Sequence, residues 1–219
     1  MKYNNSIQLE VSGRYALFTD PLTRSGGEKC TLPVPTYEAL KGIVSAVYWQ
    51  PQINWVIDRV RIMNPIRTES RSMLIRRYRR RGYDMSIYTY LRDVRYRIQA
   101  HFEPSQNCGD LTENDEHKHF RMAQRMLERG GRRNVFLGTA DCHCSVIPCN
   151  FESQVGFYDD ISEDIGLIFH SFEYEDDIPI TAAYFRCTME NGIVNFPTPY
   201  ECTLIQQLDT EGETCDALV

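Results

Sequence analysis

The sequence predicts an α+β fold: a βαββαβ unit over residues 1–147, followed by a small, acidic, β-rich antiparallel region over residues 148–219. Three observations lead there. Residues 93–102 alternate between polar and apolar side chains, the period of a half-buried strand. Residues 36–48 and 114–129 place apolar side chains at helical spacing and run into Pro51 and Gly130-Gly131. The elements then follow one another as strand, helix, strand, strand, helix, strand. That is the order of a ferredoxin-like (RRM-like) sandwich, in which two helices cover one face of an antiparallel sheet.

The first strand is read from Ile7-Gln8-Leu9-Glu10-Val11-Ser12, which alternates at a period of two. A loop with Gly26-Gly27, Pro33 and Pro35 leads to Thr36, a helix cap. Leu40, Ile43, Val44 and Val47 form one helical face, and Pro51 stops the helix beyond Tyr48-Trp49. Residues 54–66 are extended and rich in β-branched side chains. Residues 67–90 form an insertion dense in arginine and tyrosine. In the next strand Val94, Tyr96, Ile98, Ala100 and Phe102 face a core, and Arg95, Arg97, Gln99 and His101 face away. Asn114 or Asp115 caps the second helix, whose apolar stripe is Phe120, Ala123, Met126 and Leu127. Val135-Phe136-Leu137 begins another strand. Beyond residue 150, strands are read at 166–174 and 181–189, with an Asn191-Gly192 hairpin turn into Ile193-Val194. The stretch 206–219 is acidic and frays.

Charge is unevenly distributed. The chain carries a net −6, yet residues 1–133 hold 23 of the 24 basic residues and 14 of the 30 acidic ones, a net of +9. Residues 134–219 hold one base and 16 acids, a net of −15. Such a chain can turn a basic face to a polyanion while its acidic part faces elsewhere. No apolar run approaches the roughly 20 residues that span a bilayer, and the first ten residues carry no signal-peptide core. A cytoplasmic protein without a membrane partner is expected. The eight cysteines are an even number, but without a signal peptide a disulfide framework is not expected. Cys142-His143-Cys144 with Cys149 lacks the paired knuckles of a zinc site, so reduced, partly buried thiols and no metal or other cofactor are expected.

Three features could carry chemistry. In Asn114-Asp115-Glu116-His117-Lys118-His119, free backbone N–H groups at a helix start attract phosphate. Lys118 adds a mobile positive charge, and the helix dipole favours a neutral His119, while Asp115 and Glu116 pull the other way. A solvated first turn accounts for the same residues. The second feature is Arg76, Arg77, Arg79, Arg80 and Arg81, five arginines within six residues, with Arg71, Tyr78 and Tyr83. Arginine suits phosphate, and both residue types stack on bases; the alternative is a solvated loop paired with the acidic C-terminal part. The third is Tyr48 beside Trp49, which also reads as a pair of core aromatics.

A resemblance brings these together. Ala46-Val47-Tyr48-Trp49-Gln50-Pro51, continuing through Trp55, Asp58 and Arg59 to Asn64-Pro65-Ile66, resembles the subtype I-C branch of the Cas five family, CRISPR-associated proteins of the RAMP superfamily. Ala100-His101-Phe102-Glu103 is similar too, as are Lys118-His119 followed by Arg121, Arg125, Arg129 and Gly130, and then Leu137-Gly138. The chain departs from the family at Thr139-Ala140-Asp141-Cys142, where a cysteine, an arginine and a glutamate are usual after the glycine.

The resemblance implies metal-independent cleavage of precursor CRISPR RNA at a repeat hairpin. The product guide would stay bound by its 5′ handle within a type I-C surveillance complex, alongside backbone and large subunits, with double-stranded DNA a further candidate partner. It assigns catalysis to Tyr48, Lys118 and His119. Arg76, Arg77, Arg79, Arg80, Arg81, Arg95, Arg97 and His117 are the candidate RNA-binding residues, and His117 could share the role of His119. The alternative is a non-catalytic subunit that only binds the guide.

Overall fold

The computed structural model describes residues 5–20, 23, 28–77, 81–105, 113–173 and 181–207. Its strands are β1 (Ser6–Ala16), β2 (Lys29–Cys30), β3 (Ile53–Ile62), β4 (Thr68–Arg76), β5 (Tyr83–Pro104), β6 (Val135–Phe136), β7 (His143–Pro148), β8 (Glu163–Glu173), β9 (Thr181–Glu190), β10 (Ile193–Asn195) and β11 (Leu204–Gln207). Its helices are α1 (Tyr37–Val47) and α2 (Glu113–Glu128), with a short 3-10 turn at Pro199–Glu201. The strands form one sheet in the order β11-β9-β10-β3-β5-β1-β7-β6, with β2 and β4 added to β5 and β8 to β9. Every pairing is antiparallel except β2 with β5.

The helices cover one face. α1 starts where expected, since Thr36 accepts from the Ala39 N–H at 3.3 Å, and it buries Tyr37, Leu40, Ile43, Val44 and Val47. These residues join Leu9, Val11, Ile57, Val60, Ile98 and Ala100 in one core. α2 begins at Glu113, so Asn114 and Asp115 lie inside its first turn and do not cap it. Its other end is closed by Gly130 and Gly131: the Gly131 N–H reaches Met126 O at 2.9 Å and the Gly130 N–H reaches Leu127 O at 3.0 Å. With Gly130 at φ +83° this is a Schellman cap.

β5 is 22 residues long and serves two partners along one edge. Residues 96–104 pair with β3 and residues 83–91 pair with β4. The changeover falls at Asp93, whose φ of +52° kinks the strand. The arginine-rich insertion is therefore not a solvated loop. It is a two-stranded ribbon, with Leu74, Tyr83, Met85 and Ile87 exposed on it. Tyr78, Arg79 and Arg80 lie outside the described residues, as do Gly26, Gly27 and residues 208–219.

The C-terminal strands extend the same sheet, because β10 pairs with β3 through Ile193↔Arg61, Val194↔Val60 and Asn195↔Arg59. The Asn191-Gly192 turn has both residues at positive φ, as a type I′ hairpin requires. Gln206 and Gln207, the first residues of the stretch expected to fray, instead belong to β11 and pair with β9.

The other face of the sheet is closed by the loop at 149–159. Phe151 is fully buried there, with the Arg59 guanidinium 4.2 Å from its ring centroid. A tight approach also fixes the turn after β6. A Cβ on Gly138 would stand 2.0 Å from Leu17 O, and its φ is +90°. Gly138→Ala is therefore expected to lower unfolding stability by about 2–3 kcal/mol in urea titration.

Candidate active site

Tyr48 and His119 lie 71 residues apart in the chain and meet in the fold. α1 ends at Val47, and Tyr48 turns to an extended conformation. Trp55 at the start of β3 donates its indole N–H to Tyr48 O at 2.7 Å, which pins the backbone on this side of the turn. His119 lies on the buried stripe of α2 with Ala123 and Leu127, one and two turns on. The Tyr48 hydroxyl lies 2.8 Å from His119 Nδ1 and 3.7 Å from Met122 Sδ. His119 Nε2 lies 3.2 Å from Gln52 Oε1, and its ring meets Phe102 edge to face.

These partners assign the proton positions. Tyr48 donates to Nδ1, which leaves the imidazole N–H at Nε2, donating to the exposed Gln52. Burial lowers the His119 pKa from its ordinary 6.5, and the charge of Lys118 lowers it further, against Asp115. Burial raises that of the Tyr48 hydroxyl, with Arg132 opposing. Both groups are therefore neutral at pH 7. Each residue is only 2% exposed.

Lys118 is exposed beside the pair. It lies beyond the first turn of α2, so the Lys118-His119 step does not itself present the N–H groups of the helix start. What surrounds Lys118 is a basic stripe. At about 100° per residue, Lys118, Arg121, Arg125 and Arg129 fall within an arc of roughly 80°, all on the exposed side. Arg132 and Arg133 follow, anchored by backbone hydrogen bonds to Ala46 O at 3.2 Å. Among the described residues no ion pair engages any of the six. The spacing 118, 121, 125 and 129 was present in the sequence. Gln52, an uncharged turn residue, carried no signal.

The strand arginines are placed otherwise than expected. Arg97 is 1% exposed. Its Nε donates to Glu10 Oε2 at 3.0 Å and its Nη1 to the carbonyls of Asn150 and Phe151 at 3.1 and 3.4 Å. Arg95 binds both Glu10 oxygens, at 2.6 and 2.9 Å, and Gln154 at 2.7 Å. The 149–159 loop thus takes up the polar face read as open to RNA. Glu152 and Asp159, two of the C-terminal acids, pair in turn with Arg59 and Arg61 at 2.9 and 2.7 Å.

Arg76, Arg77 and Arg81 are exposed on the ribbon, where Arg77 lies 3.7 Å from Asp84. His117 is half-buried. Burial raises the thiols of Cys144 and Cys149 to about 12 and about 11. Among the described residues no three histidine, cysteine or carboxylate side chains are grouped to hold a metal ion. No described helix is long and apolar enough to cross a membrane.

The molecule thus combines a mostly antiparallel sheet with two helices on one face, a buried tyrosine–histidine pair, and beside that pair a basic stripe without ion pairs among the described residues. The sequence matches the family CRISPR-associated protein (Cas_Cas5) over residues 6–197, and the chain belongs to it. It is 28% identical to the CRISPR pre-crRNA endoribonuclease Cas5d of Mannheimia succiniciproducens, over 90% of this chain and 96% of that one. Two crystal structures share its fold at 32% identity. One is a functionally uncharacterized protein from Streptococcus mutans, with a TM-score of 0.77, covering 92% of this chain and 97% of that one. The other is a CRISPR-associated protein with a TM-score of 0.75, covering 92% and 96%.

Proposed function

We propose that this chain is a metal-independent endoribonuclease that cuts precursor CRISPR RNA within the repeat and keeps the 5′ handle, as a subunit of a type I-C surveillance complex. The hydrogen bond between Tyr48 and His119, beside an exposed Lys118 that makes no ion pair among the described residues, carries this reading. The relative named a pre-crRNA endoribonuclease, similar along nearly the whole chain, supports it. In the same reading, β1, α1, β3, β5, α2 and the β6–β7 pair are the ferredoxin-like βαββαβ unit of residues 1–147. Residues 148–219 form its acidic attachment.

The reaction needs only the RNA's own nucleophile. The 2′-oxygen forms a bond to phosphorus and the bond to the 5′-oxygen breaks, giving a 2′,3′-cyclic phosphate and a 5′-hydroxyl. Tyr48 holds the 2′-hydroxyl, and its proton passes to the neutral His119 and on to the departing 5′-oxygen. Lys118 stabilises the negative charge on the phosphorane. The basic stripe and the exposed ribbon arginines hold the RNA backbone, so binding weakens with salt.

Repeat RNA should be cut in EDTA, and a 2′-deoxy substitution at the cut site should abolish cutting. Cleavage of that deoxy substrate excludes the mechanism. The pH profile should carry the sign of His119. Its folded pKa lies below 6.5, so the rate rises with pH through a midpoint below 6.5. It then holds level, because the raised Tyr48 hydroxyl does not ionise below pH 10. The 2% exposure of Tyr48 and His119 favours a second reading, a guide-binding subunit without catalysis. Intact repeat RNA after incubation with wild-type protein would establish it.

A further inference from the structure

A concave site elsewhere in the molecule shares no residue with the Tyr48–His119 pair. The base of the β4–β5 ribbon meets the end of β1 and the turn before β7, and they enclose a cleft of about 600 Å³. That lies within the roughly 300–1,000 Å³ typical of small-ligand sites. Tyr15, Tyr90, Glu69, Ser70, Arg71 and Asp141 contribute to its lining.

The walls are organised in advance. The Arg71 guanidinium lies 4.8 Å from the Tyr15 ring centroid, and the Tyr15 and Tyr90 rings meet edge to face at 5.9 Å. The Tyr15 hydroxyl donates to Glu69 Oε1 at 3.0 Å, and Arg92 holds Glu69 Oε2 at 3.3 Å. One carboxylate is thereby used up in fixing the aromatic wall. The side chain of Arg71 remains 53% exposed, so its plane is open to a further stacking partner. The other carboxylate, Asp141, is exposed and makes no ion pair or side-chain hydrogen bond among the described residues. Its charge is felt in the cleft: the Tyr90 hydroxyl is raised by burial first, then by Cys142 and Asp141.

We propose that this cleft takes one unpaired guanine of a bound RNA, stacked on the Arg71 guanidinium that covers Tyr15, with its Watson–Crick edge on Asp141. The proposal rests on the RNA-handling reading above and gives it a base-specific subsite. Unpaired bases stack on aromatic and guanidinium planes and are read along their edges. An ionised carboxylate only accepts hydrogen bonds. Guanine offers it two adjacent donors, N1–H and N2–H. Adenine and cytosine each set a ring acceptor beside their amine, and uracil sets one N–H between two carbonyls.

The test compares single-stranded oligouridylates of about ten nucleotides, within the usual reach of a single-strand site, carrying one central guanosine or one central adenosine. Fluorescence anisotropy on the full chain should show the guanosine oligomer binding about tenfold tighter, about 1.4 kcal/mol. Asp141→Asn should erase that preference and change affinity for plain oligouridylate by less than about twofold. Equal affinities in the wild type, or a preference that survives Asp141→Asn, overturn the guanine site while leaving RNA binding intact. If no oligomer binds, the RNA-handling reading fails. Calorimetric titration with guanosine and adenosine monophosphates then decides the cleft alone: guanosine-selective binding upholds it, and equal or absent binding of the two overturns it.

Discussion

His119→Ala is expected to lower the single-turnover rate of repeat-RNA cleavage by roughly 10²–10⁴-fold, the range of a positioned general acid–base. It should leave RNA affinity nearly unchanged, because the imidazole is buried and the exposed positive charges sit on Lys118, Arg121, Arg125 and Arg129. A matching loss of affinity would instead mean that α2 had shifted and carried the basic stripe with it. Tyr48→Phe separates the two roles of the pair. It keeps the ring in the core and removes the hydroxyl that donates to Nδ1 at 2.8 Å. If that bond serves only packing, the variant loses about 0.5–1.5 kcal/mol of stability and cleaves at the wild-type rate. If the hydroxyl takes part in the reaction, the rate falls while the stability change stays that small.

Much of the fold could be read from local signals, and what could not be read is non-local. Thr36 and Pro51 bracket α1 by capping and by a missing N–H, both properties of a few neighbouring residues. The alternation from Val94 to Phe102 gave the core face of β5 correctly. The same alternation put Arg95 and Arg97 on the opposite face but could not tell whether water or protein lies there. The answer came from the loop around Phe151, more than 50 residues away in sequence, and from Glu10 on the neighbouring strand. The β4–β5 ribbon was missed because its exposed apolar residues and its arginines do not follow a half-buried pattern. For the candidate site, residue types were legible and burial was not. Tyr48 and His119 were singled out through a family resemblance, whereas their contact, their proton positions and Gln52 depend on how α1 and α2 pack.

Glu10→Ala is the substitution expected to damage the fold most, by about 3–5 kcal/mol. The Glu10 carboxylate is the only charged partner of the buried Arg97 among the described residues, and the other acceptors of Arg97 are backbone carbonyls. Removing Glu10 strands a guanidinium that cannot reach water, while Arg95, a third exposed, can turn outward. Burial pushes the Glu10 carboxyl up, but hydrogen bonds and charge from Arg95 and Arg97 outweigh it and hold it below the ordinary 4.5. A lowered carboxylate pKa stabilises the fold fully above about pH 4.5, and that contribution is lost as pH falls through the folded value. Urea unfolding at pH 7 should therefore show the deficit of Glu10→Ala, and the gap to wild type should shrink below pH 4.5. Replacing Glu10 and Arg97 together with methionine should recover most of the loss, since a buried pair exchanged for apolar groups of similar volume is often neutral. A deficit under about 1 kcal/mol would show that Arg97 is compensated by the carbonyls of the 149–159 loop alone. Cleavage per folded molecule should not change, because Glu10 lies on the face of the sheet opposite α2 and the Tyr48–His119 pair.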